Sequence, residues 1–174
     1  MRMVDGKARA LVSSLENTLR QLLVLHTELL ELLKRKREVV RGSDSKATVA
    51  LCMLEQEKVQ KIAELEKQRL TLVAELTLAL DPTASQPLRM VELAERLAEP
   101  IRGRLLVTRM QLLEKMRQVQ EETGVVRRAT EALANHMQGI VQTLGALSAG
   151  VATYGSRGAF PQRNTAVSTF SATA

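Results

Sequence analysis

Between Ala10 and Val40 the apolar positions fall in steps of three, four and seven. Leu11, Leu15, Leu22, Leu25, Leu29 and Leu32 form the main series, and Leu19, Leu23, Leu30 and Leu33 lie beside it. That spacing gathers them on one widened face and predicts an amphipathic helix. Its end is basic, with Lys34, Arg35, Lys36, Arg37 and Arg41; cations there complement the helix dipole. Gly42 is expected to supply a left-handed stop, and Asp44 or Ser45 the N-cap of a second helix. That helix should run to about Leu80 on a stripe of Leu51, Leu54, Ile62, Leu65, Leu72, Leu76 and Leu80. Lys58 and Arg69 interrupt the stripe and are expected to lay their stems along it with their heads in water. A turn this short makes the first two helices antiparallel neighbours.

Asp81-Pro82 closes the second helix, because proline cannot continue it. After a loop to Pro87, a short helix is expected over about Leu88–Ala98, carrying Leu88, Val91, Leu93 and Leu97. Pro100 then kinks the chain or opens a new helix at its first turn. The last helix should run from Ile101 to about Ala149, with a seam through Ile101, Leu105, Leu112, Val119, Val126, Leu133, Ile140, Leu144 and Leu147. Gly124, Gly139 and Gly145 lie inside it, and each costs about 1 kcal/mol relative to alanine in an exposed helix. The predicted fold is all-α: an elongated antiparallel helical bundle or coiled coil of three long helices and one short one. Residues 1–150 form the helical domain and 151–174 a flexible tail rich in Ser, Thr and Ala.

The predicted lengths do not match. At about 1.5 Å per residue, the last helix is longer than either of the first two by some 20 Å or more. Its C-terminal part should therefore keep an uncovered apolar stripe: Leu133, Met137, Ile140, Val141, Leu144 and Leu147. An uncovered stripe is a candidate partner site. A bend at Gly139 that folds the end back, or self-dimerisation, would cover it instead. The tail holds the chain's three aromatics, Tyr154, Phe160 and Phe170. Aromatic anchors suit docking on a partner, and Tyr154 is the candidate nearest the stripe.

Composition narrows the function. The chain has 174 residues, with no Trp, one Tyr and two Phe, so aliphatic side chains must fill the core. The net charge is +6, but 19 acidic residues are interspersed among the 25 basic ones. No nucleic-acid motif or groove of aromatic and basic residues appears. No apolar run is long enough to span a membrane, and the N-terminus lacks the continuous apolar core of a secretion signal. A cytoplasmic location is the expectation. The single Cys52 sits in a helical pattern, where a buried thiol behaves as a small apolar group. His26 and His136 have no cluster of spaced ligands around them, and no phosphate loop or dinucleotide fingerprint occurs. We expect no enzyme activity, no metal and no cofactor.

The order of elements resembles the FlgN family of flagellar export chaperones. The basic run LLELLKRKREVVRGSD (Leu29 to Asp44), the second-helix segment LEQEKVQKIAELEKQRLTLVAEL (Leu54 to Leu76), the Pro-containing loop and the long last helix follow one another as in that family. TYGSRG, Thr153 to Gly158, is similar to the Tyr-Gly segment that closes many members. The resemblance implies a cytosolic chaperone for hook–filament junction proteins. It would bind their C-terminal helical segment, prevent premature assembly and deliver them to the type III export gate. A coiled-coil adaptor forming a homo-oligomer is the competing reading.

Overall fold

The computed structural model describes the backbone of residues 6–151 and the side chains of residues 6–146. Four helices follow in order: α1 (Gly6–Arg41), α2 (Ser45–Leu80), α3 (Met90–Glu95) and α4 (Ile101–Val151). No strand occurs among the described residues. The chain divides into two units, Met1–Leu133 and Ala134–Ala174. The first holds α1, α2, α3 and the beginning of α4.

The α1–α2 turn is fixed by hydrogen bonds. Asp44 N–H reaches Val39 O at 3.3 Å and Ser43 N–H reaches Val40 O at 3.0 Å, the paired bonds of a Schellman cap. The left-handed residue is Ser43, at φ 56°, and not Gly42 as the composition suggested. Gly42 is the last residue before the reversal and donates to Glu38 O at 3.0 Å. Asp44 then caps α2, its Oδ1 accepting from Ala47 N at 2.9 Å. The turn sets α1 and α2 antiparallel. Ion pairs from Lys36 to Glu55 and from Lys58 to Glu28 run across the two helices in opposite senses along the chain.

α4 runs parallel to α1 within the first unit, since Glu16 meets Arg104 and Arg37 meets Glu122. Among the described residues, two clusters make up most of the buried core. One joins Val12, Leu15, Leu19 and Leu22 of α1 to Val73 and Leu76 of α2, Leu93 and Leu97 in and after α3, and Leu105 and Leu112 of α4. The other joins Leu29 and Leu33 to Val126, with Ile62 and Val119 against it. His26 is buried between these two stretches of α1, and its Nδ1 lies 2.8 Å from Leu22 O. The ring is thereby tied to its own helix.

The 81–89 segment is held by two polar side chains. Thr77 donates to Val73 O at 2.7 Å and accepts from Leu88 N at 3.0 Å. Asp81 accepts from Thr83 N–H, Thr83 Oγ1 and Arg96 Nη1. These bonds hold the Asp81 carboxyl down at about 2, Thr83 first and then Arg96. The α3 helix is shorter than expected, Met90–Glu95. Leu88 N–H is committed to Thr77 at one end. At the other, Arg96 and Leu97 N–H turn tightly onto the carbonyls of Leu93 and Ala94. Glu99 opens α4, accepting from Gly103 N at 3.2 Å.

Other positions depart from the sequence pattern. Leu54 and Val91 are exposed, while Val73 and Thr77, toward the C-terminal end of α2, are buried. A reading built on leucines alone misses the valine and threonine, which lie among the buried residues of α2. Cys52 is exposed and does not pack as a small apolar group. The heads of Lys58 and Arg69 are in ion pairs, with Glu28 at 2.7 Å and Glu66 at 2.7 Å.

Candidate functional site

The basic end of α1 does more than meet the helix dipole. Lys36 crosses to Glu55 of α2 at 2.5 Å, and Arg37 crosses to Glu122 of α4. Burial alone would lower the Lys36 ammonium, but the Glu55 hydrogen bond and its charge, with Cys52 beside them, leave it raised. Arg37 Nη1 lies 2.9 Å from Glu122 Oε1 and 3.0 Å from Oε2. Its N–H is aligned on Oε2, so the buried Oε1 has the charge but no aligned hydrogen bond. The run that reads as a ligand surface is, at these two positions, a clamp on three helices. Lys34 and Arg41 pair within α1, with Glu31 and Glu38.

The α4 seam repeats every seven residues through Leu105, Leu112, Val119, Val126, Leu133 and Ile140. A seven-residue apolar repeat keeps one helix face turned toward a neighbour. In the first unit that face is used: Leu105, Leu112 and Val126 are buried, and Val119 and Leu133 partly so. In the second unit every described side chain, from Ala134 to Ala146, is exposed. The apolar pattern nevertheless continues, and Met137, Ile140, Val141 and Leu144 are 42–66% exposed. The helix passes through Gly124, Gly139 and Gly145 without a break. Thr143 Oγ1 donates back to Gly139 O at 2.9 Å. A shallow groove on this stretch is lined by Asn135, His136, Gly139, Ile140, Thr143 and Leu144.

Of the residues proposed for partner binding, Leu133 is half-buried at the end of the first unit, and Met137, Ile140, Val141 and Leu144 lie together on α4. Leu147 belongs to α4 by its backbone, but its side chain, and Tyr154 entirely, lie outside the described residues. Among the described residues no group of three His, Cys, Asp or Glu could hold a metal ion, and no helix is long and apolar enough to cross a membrane.

The α4 helix also carries apolar residues on a second face that the seam reading passed over. Val107, Met110, Leu113 and Met116 are exposed. Their signal was a run spaced by three, away from the leucines of the main seam. Beside them Glu114 is held down at about 2, by Arg117 first and Gln118 next.

These features define a class: an all-helical bundle of long helices that keeps part of an apolar seam at its surface. A family model described as FlgN protein matches residues 3–161. The chain belongs to the FlgN family, a family of chaperones for flagellum assembly, and membership carries an export-chaperone role. No curated protein and no solved structure gives a significant match.

Proposed function

We propose that the chain is a cytoplasmic chaperone of type III flagellar export that binds the C-terminal helical segment of hook–filament junction proteins along the end of α4. The client segment would be kept from premature assembly and handed on at the export gate. The observation that supports this reading is the continuation of the α4 seam: the face that is buried up to Val126 stays apolar and exposed at Met137, Ile140, Val141 and Leu144. A client helix laid there would cover that exposed apolar face. Each apolar side chain fully buried contributes about 1.5–3 kcal/mol, against an association cost of about 4–15 kcal/mol. The uncovered parts of these four side chains, together with the client's own apolar face, fit an affinity in the micromolar to nanomolar range, roughly −8 to −12 kcal/mol, tight enough to hold a client and weak enough to release it. Met137 suits a client surface of non-identical shape, because its side chain is flexible. We assign Tyr154 to client binding as well, as an aromatic anchor.

Co-purification with flagellar junction proteins, each offered with and without its C-terminal helical segment, tests the proposal. Capture that depends on that segment supports it. Capture that is indifferent to the segment contradicts it.

A further inference from the structure

We infer that the second face of α4 is a separate docking site for an amphipathic helix whose apolar stripe is edged with acidic residues. Val107, Met110, Leu113 and Met116 are 41–63% exposed, and Leu106 lies half-buried among them. Successive steps of three and four place Leu106, Met110 and Leu113 along one line of the helix, with Val107 and Met116 on either side. Next to Met110 the surface dips into a groove between α1 and α4, lined by Leu23, Thr27, Met110, Gln111, Glu114 and Gln118 among others. All of this lies in the first unit, apart from the stripe at Met137–Leu144.

Charge and area identify the occupant. Arg102 and Arg109, seven residues apart, run along one edge of the stripe, and neither has an ion pair among the described residues. Arg117, which continues the stripe, is already neutralised by Glu114 and Glu121. The face thus offers two uncommitted guanidinium groups beside an apolar line, the complement of a helix with glutamate or aspartate along one edge. The exposed parts of the four side chains amount to something on the order of 400 Å², the size of a functional patch on a monomer. A stable face-to-face dimer needs about 800 Å² per partner, whereas a short helix can be held by a few anchors on a smaller patch. A second copy would also bring Arg102 and Arg109 of both chains to the same seam, where they have no acidic partner among the described residues. A single helix seated by anchors at i, i+3 and i+7 fits an area of this kind.

The test uses the full chain and two labelled helical peptides of about 18 residues, five turns, with identical leucine stripes. One is edged with glutamate and the other with lysine, and binding is read by fluorescence anisotropy. The glutamate-edged peptide should bind, and the lysine-edged one about tenfold or more weakly, as expected for two partly exposed ion pairs made or reversed. Leu113→Glu and, independently, Met110→Glu should abolish binding while helix content by circular dichroism is kept. Arg102→Glu with Arg109→Glu should reverse the peptide preference. Lys7→Glu with Arg9→Glu, an equal change in net charge at the start of α1, should leave it unchanged, as should Leu144→Asp. Equal binding of the two peptides overturns the proposal. So does an equal effect of the Lys7 and Arg9 changes, or loss through Leu144→Asp and not through Leu113→Glu. A doubling of mass of the free chain that Leu113→Glu removes would assign the face to a second copy, and also overturns it.

Discussion

Ser43 holds a positive φ of 56° without the freedom of glycine, a conformation that costs an L-residue about 1–2 kcal/mol. Ser43→Gly should raise the unfolding free energy by about 0.5–1 kcal/mol, read from denaturant midpoints at unchanged slope. An unchanged or lower midpoint would show that the turn draws on the serine in some other way. Sequence reading placed the turn correctly and chose the wrong residue within it. Glycine is the usual occupant, and only the two backbone bonds from Ser43 and Asp44 show that the cap ends one residue later. Asp81 gives a pH signature. Its carboxyl falls from 3.8 to about 2 through Thr83 and Arg96. A carboxylate depressed in the folded state stabilises it fully above its unfolded value and loses that contribution as pH falls through the folded value. Glu114, held at about 2 by Arg117 and Gln118, acts in the same window. The melting temperature should therefore drop between about pH 4.5 and pH 2, and Asp81→Asn should flatten part of that drop. A slope that Asp81→Asn leaves intact would mean that the Asp81 contacts do not persist in solution.

Helix existence and order were legible in the leucine spacing, because α1, α2 and α4 are long and their apolar periods recur over many turns. The partners of the charged residues were not. Lys36 and Arg37 stand in a basic run whose composition is equally that of a helix end, and nothing in one dimension says that Glu55 and Glu122 lie opposite them. The distinction is testable. Glu122 has a side chain 12% exposed, so Arg37→Ala strands a carboxylate with little water to replace the guanidinium. It should cost about 2 kcal/mol, whereas Arg41→Ala, at a solvated intrahelical pair with Glu38, should cost less than about 0.5 kcal/mol. Equal losses in thermal or denaturant unfolding would refute the clamp. The exposed α4 face at Met110 and Leu113 escaped the pattern for a different reason. Apolar residues spaced by three beside a regular seam read as a wide core face, and only the positions of α1 and α2 decide which of them are covered.

For the molecule as a whole, the family and the fold agree on a helical chaperone, and the apolar seam of α4 suggests where a client would lie. Candidate site residues could be read from the sequence because the seven-residue period does not stop at Val126. What the period could not show is which part of the seam has neighbours, since that depends on the partners α4 acquires in the first unit. The central claim is tested most directly by measuring, on the same samples, the affinity for a junction protein's C-terminal helical segment by calorimetry and the melting temperature, for Ile140→Asp, Leu144→Asp and Leu22→Asp. Leu22 is fully buried, and a charge there should destabilise by about 4 kcal/mol or more. The account predicts that Ile140→Asp and Leu144→Asp abolish binding while the melting temperature stays within a few degrees of the parent, about the shift of a surface substitution. If Leu144→Asp unfolds the protein as Leu22→Asp does, the stripe is core; if both α4 variants melt and bind like the parent, the client lies elsewhere.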